Sequence, residues 1–208
     1  MTLCSVALAY LVGLPLGIIL NITSKNGIAR NRIVNIILGV FINIIRSIPC
    51  LLLIIVLIPL TRSIFGIGTG EWYVLIIPLF VSSFAFVSRI VETSLNEVNT
   101  GVVEVAKSLG ANNFQIITKV LLKEATPSLI SGLAVTTISI IGYTAFAYDF
   151  GAGGLIAQAY EFYTSNTVDF LSKPDIYIII LVIVVLVQII QEVTLLIVKK
   201  IDKRRKIK

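Results

Sequence analysis

Residues 101–127 read GVVEVAKSLGANNFQIITKVLLKEATP, and this stretch decides the fold because it is the one long polar-faced segment between apolar runs. Four apolar residues in its first half recur at the spacing of one helix face: Val102, Val105, Ala106 and Leu109. Gly110 follows, and glycine reaches the left-handed backbone angles that end a helix at little cost. The first half therefore predicts a short amphipathic helix that stops at Gly110.

The second half predicts another helix. Asn112 is followed three residues later by Gln115, which is the spacing of an N-terminal capping box. Phe114, Ile117 and Leu121 would line its apolar side. Pro127 predicts a break at the end of this helix, beyond which the apolar sequence resumes.

Composition places the rest of the chain in a membrane. Hydrophobic residues make up 57% of the sequence, charged residues 13%, and the mean hydropathy is +1.00. These values exclude a soluble domain. The absence of histidine excludes histidine catalysis, histidine metal ligation and a histidine proton relay. Cys4 and Cys50 lie inside apolar runs and have neither metal-ligand spacing nor a disulfide framework.

Hydropathy predicts an all-α membrane protein with five spans, at about residues 1–21, 33–60, 73–95, 128–147 and 176–198. The first run lacks a basic leader and a cleavage site, so we interpret it as a retained span. Gly13 and Gly17 allow a helix to pack closely there, although Pro15 equally favours a kinked span. A glycine-rich loop is predicted from Arg62 to Glu71.

The second run would be about 42 Å long as one helix, more than the roughly 30 Å of a hydrocarbon core. Arg46, Ser47 and Pro49 predict a break, because proline lacks an amide donor and clashes with the preceding turn. Arg46 is costly in a membrane unless it faces protein or water, which favours a pathway position. The alternative is a snorkelling arginine at a helix end.

Two further spans carry polar residues. Arg89 and Glu92 share one face of the third span, and we interpret them as a local structural pair that neutralises both charges. The fourth span predicts a dimer interface and pathway wall, because small residues let membrane helices approach closely. Its small and hydroxyl residues are Gly132, Thr136, Thr137, Ser139, Gly142 and Thr144.

Basic residues set the orientation. Placing the amino terminus outside and the carboxyl terminus in the cytoplasm leaves only Arg62 and Lys173 outside. The cytoplasmic side then collects Lys25, Arg30, Arg32, Lys107, Lys119, Lys123 and the seven basic residues from Lys199 onward. Glu161, Asp169, Lys173 and Asp175 mark a polar connection, which this orientation places outside. We interpret the basic tail as a cytoplasmic anchor at the bilayer and not as a nucleic-acid site.

The stretch 101–127 resembles the EAA loop of ABC importer permeases. Glu104, Ala106, Gly110 and Leu122 match that pattern, whereas Val105, Val120 and Lys123 depart from it. The sequence IRSIP at residues 45–49 and the glycine-rich residues 142–155 resemble permeases of the methionine-uptake type. Tyr148 and Asp149 depart from the small apolar residues of those permeases, which leaves the cargo open.

This resemblance implies a type I ABC importer permease fold with a cytoplasmic coupling helix between spans 3 and 4. It implies a homodimer in the cell membrane, two cytoplasmic ATPase subunits that bind ATP and Mg, and an external substrate-binding protein. The chain itself has no ATPase motif, so we expect no enzyme activity and no cofactor in it. The predicted ATPase-coupling residues are Glu104, Ala106, Leu109, Gly110, Ile116 and Leu122. The predicted pathway or gate residues are Arg46, Pro49, Thr137, Gly142 and Tyr143.

Rival interpretations remain. The stretch 101–127 is alternatively an amphipathic helix pair lying on the membrane surface. An importer for another small solute fits the same motifs. An ion-coupled transporter would need intramembrane carboxylates or broken helices suited to ion coordination, and usually internal repeats. The deep membrane portions have no convincing central Asp or Glu, and the sequence shows no repeat. A membrane enzyme would need a catalytic constellation, and the sequence offers none.

Overall fold

The computed structural model describes residues 1–165 and 174–202, and all regular secondary structure in these ranges is helical. The longer elements, α1 to α4, precede the hairpin of α5 and α6, and α7 to α9 follow it. Their bounds are α1 Thr2–Thr23, α2 Arg32–Ser47, α3 Cys50–Phe65, α4 Ile76–Asn96, α5 Thr100–Ser108, α6 Asn113–Gln115, α7 Leu122–Tyr143, α8 Leu155–Ser165 and α9 Pro174–Ile201. Short 3₁₀ turns lie at Trp72–Leu75 and Thr144–Ala147, and a π-helical turn, Ile116–Leu121, joins α6 to α7.

Several of these helices could cross a bilayer. Four continuous helical stretches of the described ranges are long and apolar enough: Thr2–Thr23, Trp72–Asn96, Asn113–Ala147 and Ile176–Ile201. The pair α2 and α3 passes the same test together but is bent by 103°, which gives a fifth candidate. The all-α architecture predicted from hydropathy is therefore confirmed.

The bend between α2 and α3 falls at the predicted place. Pro49 is the N-cap of α3 and has an extended backbone, while Ile48 donates its N–H back to the carbonyl of Ile45 at 3.2 Å. The predicted loop from Arg62 to Glu71 begins later than expected. Helix α3 continues to Phe65 and stops where Gly66 adopts a left-handed φ of +77°.

Helices α1 and α4 form the tightest seam of the fold. A Cβ added at Gly13 would lie 2.8 Å from the carbonyl oxygen of Phe84, and one at Gly17 only 2.6 Å from that of Ser88. The two backbones approach this closely because glycine has no side chain. Helix α1 runs as one element through Pro15. The glycine pair thus serves packing within the chain, and its seam continues into the main hydrophobic core.

Pro127 does not break the chain, and this expectation was wrong. It lies inside α7, which continues the second helix of the hairpin without interruption from Asn113 to Ala147. Proline removes only its own amide donor, whose acceptor would have been the carbonyl of Lys123. Contacts on both sides hold the helix: Ala125 is buried in the core, and Ser94 donates to Ser128 at 3.0 Å.

Helix α9 lies at the edge of the fold, where it packs on α7 and α8. None of the residues in its most hydrophobic window is buried. Its exposed side therefore offers a long apolar surface to lipid or to another chain. Asp169 and Lys173 of the predicted external connection, the side chain of Asp175, and residues 203–208 of the basic tail lie outside what the structure describes.

Candidate functional site

The hairpin at residues 99–121 has a turn that is fixed by its own backbone. The N–H of Gly110 donates to the carbonyl of Lys107 at 2.9 Å, and that of Ala111 donates to the carbonyl of Ala106 at 3.0 Å. These two bonds define a Schellman motif, and they require the left-handed φ of +81° found at Gly110. The predicted glycine stop is confirmed.

Both helices of the hairpin are capped by asparagine. The side chain of Asn99 accepts from the N–H of Gly101 at 2.8 Å at the start of α5. At the start of α6, Asn112 accepts from the N–H of Gln115 at 2.8 Å and donates its own N–H to the Gln115 side chain at 3.0 Å. The predicted capping box is therefore present, and it holds the second helix at a fixed angle to the first.

The inner side of the hairpin belongs to the main core of the protein. Ile116 is 0% exposed and shares a cluster with Leu20 of α1, Ile42 of α2 and Val91 of α4. Further hairpin residues are buried or half-buried against the same cluster: Val103, Ala106, Ala111, Ile117, Leu121 and Leu122. The hairpin is thus packed as an extension of the helix bundle.

The outer side of the hairpin exposes large apolar side chains. We name this surface the hairpin tip; it consists of Val102, Val105, Leu109 and Phe114. Leu109 is 83% exposed, Phe114 73% and Val105 60%, and Val102 is also exposed. Glu104 and Lys107 are exposed beside them. An apolar cluster with a charged rim is typical of a protein docking site.

Most of the predicted apolar stripe of α5 lies at the protein surface. Val103 and Ala106 are half-buried against the core, whereas the other three predicted stripe residues, Val102, Val105 and Leu109, are exposed. Helix periodicity identifies an apolar face but does not show whether the core covers it. Here both Val103 and the neighbouring Val102 are apolar, so the sequence does not distinguish which of them packs against the core. The half-buried side of α5 belongs to the helix that packs on the π-helical turn Ile116–Leu121.

The six predicted coupling residues fall into two groups. Glu104, Leu109 and Gly110 are exposed, whereas Ala106 and Leu122 are half-buried against the core. Ile116 is wholly buried, so it supports the hairpin from beneath and cannot itself contact a partner in this structure. Sequence reasoning missed Phe114 and Val105 as surface residues. An aromatic residue directly after the capping asparagines was the available signal for Phe114.

The five predicted pathway residues do not form one wall. Arg46 and Pro49 are exposed at the bend between α2 and α3. Tyr143 packs with Cys50 against a second core cluster, whereas Thr137 lines a separate apolar cavity of about 330 Å³ shared with α9. Gly142 is exposed, and an added Cβ would meet no atom within 4 Å. Thr137 and Tyr143 are six positions apart on the helix, which turns their side chains to different sides.

The small residues of α7 mostly serve packing within the chain. A Cβ added at Gly132 would lie 2.3 Å from a methyl group of Ile90 on α4. Thr136 is buried and returns its hydroxyl to the carbonyl of Gly132 at 2.8 Å. This face of the predicted dimer interface is therefore occupied by α4. The outer face, which includes Leu133 and Val135, remains exposed.

A groove of about 630 Å³ lies between the end of α2, the second half of α4 and the first half of α7. Charged, hydroxyl and apolar side chains line it together. Its charged members are Arg46, Arg89, Glu92 and Glu97. Of the five predicted pathway residues, only Arg46 lines this groove.

Arg89 connects two helices at the wall of the groove. It donates to Glu92 at 2.6 Å, to the carbonyl of Gly39 at 3.1 Å and to the side chain of Asn43 at 2.8 Å. The predicted pairing of Arg89 with Glu92 is confirmed. The bonds to α2 were not predicted, since nothing in the sequence places residues 39 and 43 opposite residue 89. Among the described residues, no three potential metal-ligating side chains come together.

The bundle, its groove and its capped hairpin define a class of protein: a multi-spanning membrane protein with an exposed apolar hairpin tip. The family of binding-protein-dependent transport system inner membrane components matches residues 13–207. The chain belongs to this family and is a permease component of an importer.

Individual relatives are similar over nearly the whole chain. The chain is 39% identical over 203 residues to a probable D-methionine transport system permease protein MetI of Vibrio cholerae, covering 95% of this chain and 86% of the relative. It is 44% identical over 187 residues to the methionine import system permease protein MetP of Bacillus subtilis, covering 89% and 82%.

Solved structures agree. A chain of the MetNI methionine ABC transporter in inward-facing conformations superimposes with a TM-score of 0.91 at 33% identity, covering 98% of this chain and 92% of that chain. The resemblance to ABC importer permeases, the type I fold and the membrane location predicted from sequence are confirmed.

Proposed function

We propose that this permease conducts methionine, or a closely related amino acid, through an importer driven by ATP. It works as a homodimer with two cytoplasmic ATPase subunits, which bind ATP and Mg, and with an external binding protein. The chain provides the pathway and the docking element, and ATP hydrolysis takes place on the partner. The names of the relatives support methionine as the cargo. The exposed hairpin tip is the observation that supports coupling to an ATPase.

The hairpin tip fits an ATPase cleft better than a lipid surface. A lipid-bound helix pair would bury its apolar faces in the bilayer, yet α5 buries one face in the protein core and exposes the other beside Glu104 and Lys107. Leu109 and Phe114 stand at the turn, where they can enter a pocket as anchors. We assign docking to Glu104, Val105, Leu109, Gly110 and Phe114.

Movement of the ATPases would reach the pathway through the shared core. The hairpin packs against α1, α2 and α4, and it continues covalently into α7. A displacement of the tip therefore moves these helices as a rigid body, because a close-packed core transmits strain. Alternation between outward and inward openings follows from such motion and needs no covalent chemistry by this chain.

The proposed topology places the amino terminus outside and the hairpin in the cytoplasm. Lys25, Arg30 and Arg32 then share the hairpin side with Lys107 and Lys119, as the positive-inside rule requires. The bent pair α2 and α3 serves as the second span. Arg46 and Pro49 at the bend, and Thr137, Gly142 and Tyr143 on α7, are proposed pathway or gate positions.

The test is uptake of labelled methionine by vesicles that carry this chain with its ATPase and binding protein. We expect uptake that requires ATP and is abolished by excess unlabelled methionine. If ATP-dependent uptake occurred only for another solute, the assignment of methionine as the cargo would be wrong. If uptake did not depend on ATP, the assignment as an ATP-driven importer would be wrong and an ion-coupled transporter would be favoured. A chain carrying both Leu109→Ala and Phe114→Ala should remain in the membrane and lose uptake.

A further inference from the structure

Arg46 is a cation in the groove that has no protein partner among the described residues. Arg46 is exposed to the groove and makes no hydrogen bond or ion pair with any residue that the structure describes. A guanidinium within a membrane span is costly unless water, protein or a ligand satisfies it. Its fork of donors matches a carboxylate. Arg46 is therefore available for an anionic group that enters the groove.

Arg89 differs from Arg46 although both line the groove. It uses its donors on Glu92, Gly39 and Asn43, so it is already satisfied. Its ion pair occupies Oε2 of Glu92. Oε1 of Glu92 has no partner among the described residues, which leaves one carboxylate oxygen able to accept from an ammonium group.

The helix register separates these two groups by a suitable distance. Arg89 of α4 lies opposite Asn43 of α2. Arg46 is three residues beyond Asn43, and Glu92 is three residues beyond Arg89 on an antiparallel helix, so their backbone positions are about 9 Å apart along the axis. Two hydrogen bonds of about 3 Å each, with a small zwitterion between them, span such a gap.

We propose that the groove is a transit site for the zwitterionic end of the cargo, with Arg46 binding its carboxylate and Oε1 of Glu92 accepting from its ammonium group. Phe86, Ile90 and Val135 supply an apolar wall for the side chain of the cargo. Arg89 acts as a positioning residue that holds Glu92 and α2 in place. This inference rests on the proposed function, because it takes an amino acid as the cargo.

The first test compares arginine variants in vesicles with the ATPase and binding protein. We expect Arg46→Gln to lower methionine uptake at least tenfold while ATP hydrolysis stimulated by the binding protein persists, and Arg46→Lys to restore part of the uptake. Arg62→Gln is the matched control, since Arg62 is also exposed and lies in the last turn of α3, away from the groove. It should stay within twofold of the parent chain.

Two results of this test would overturn the proposal. Normal uptake by Arg46→Gln would show that the cargo does not need the guanidinium. Equal loss of uptake and of stimulated ATP hydrolysis would assign Arg46 to the structure of the bend instead.

The second test needs neither ATP nor the binding protein. Ser131, which also lines the groove, is replaced by cysteine in a chain that carries Cys4→Ser and Cys50→Ser and keeps Arg46, and a charged thiol reagent is applied from the cytoplasmic side. Methionine should slow labelling of this cysteine several-fold. The corresponding amine, which has the same side chain and ammonium group but no carboxylate, should not slow it. Equal protection by both compounds, or by neither, would overturn the site. Failure of the proposed function would appear separately, as absence of ATP-dependent methionine uptake by the parent chain.

Discussion

Glycine and apolar residues have different roles in the seam between α1 and α4 and in the hairpin of α5 and α6. In the seam, Gly17 is required by space, because an added Cβ would lie 2.6 Å from a backbone oxygen. In the hairpin, Gly110 is required by its φ of +81°, and an added Cβ would meet nothing within 4 Å. The seam buries its apolar residues, and the hairpin tip exposes them.

The difference teaches that apolar and small residues in this chain mark two kinds of contact. The contacts of the seam are completed within one chain and hold the bundle together. Those of the hairpin tip are open within this chain, and we propose that another protein completes them. Substitutions at the seam should therefore change stability, while substitutions at the tip should change coupling.

The largest effect is expected at the seam. Gly17→Ala forces a methyl group against the backbone of α4, so the free energy of unfolding should fall by about 2–3 kcal/mol. The thermal unfolding midpoint of the purified chain in detergent measures this. Gly39→Ala is the control, because its Cβ would meet its nearest atom at an ordinary 3.5 Å. Equal midpoints for the two variants would contradict the steric role of Gly17.

The next largest effect is expected at the hairpin tip. Leu109→Ala should weaken ATPase binding by about 2 kcal/mol, roughly thirtyfold, with an unchanged unfolding midpoint. Titration of the ATPase onto the chain in nanodiscs measures the affinity. Leu11→Ala is matched to it, since Leu11 is 71% exposed on α1. If both variants bound the ATPase like the parent chain, the tip would not be the docking surface.

The turn itself should give a smaller effect. Gly110→Val places a β-branched residue in the left-handed region, which costs about 1–2 kcal/mol without any clash. Hydrogen exchange at the amides of residues 111–115 should accelerate, and uptake should fall. Gly110→Asn tolerates this backbone region better and should lie between valine and the parent. Identical hydrogen exchange in the parent chain and both variants would contradict the requirement for glycine at the left-handed position 110.

The smallest effect is expected at the capping box. Asn112→Ala loses the bond to the N–H of Gln115 and should destabilise the start of the second helix by about 1 kcal/mol. The same exchange measurement reports it, with uptake nearly unchanged. Asn113→Ala removes a side chain that makes no hydrogen bond among the described residues and should have no effect. A larger effect at Asn113 would place the helix start elsewhere.

Local sequence signals predicted the hairpin well because its geometry depends on interactions between residues close together in the chain. Gly110, Asn112 and Gln115 act on backbone groups within three residues of themselves, so their roles need no knowledge of the rest of the fold. The bend before Pro49 follows from the same kind of local rule.

Pro127 shows where local rules fail. It has the chemistry of a helix breaker, yet packing of Ala125 and Ser128 against the bundle keeps α7 continuous around it. Tertiary contacts, and not helix periodicity, likewise decided that Val103 of α5 packs against the core and Val102 does not. Neither outcome could be derived from neighbouring residues alone.

The sequence by itself determined the membrane class, the helical spans, the break near Pro49, the hairpin turn and the resemblance to importer permeases. These depend on composition and on contacts between residues close in the chain. Only the tertiary structure decided which apolar residues face outward at the tip, that Gly13 and Gly17 meet α4, and that Arg89 joins α2 while Arg46 in the groove has no partner among the described residues. Such contacts join residues up to about seventy positions apart in sequence, and their pairing is set by how whole helices pack.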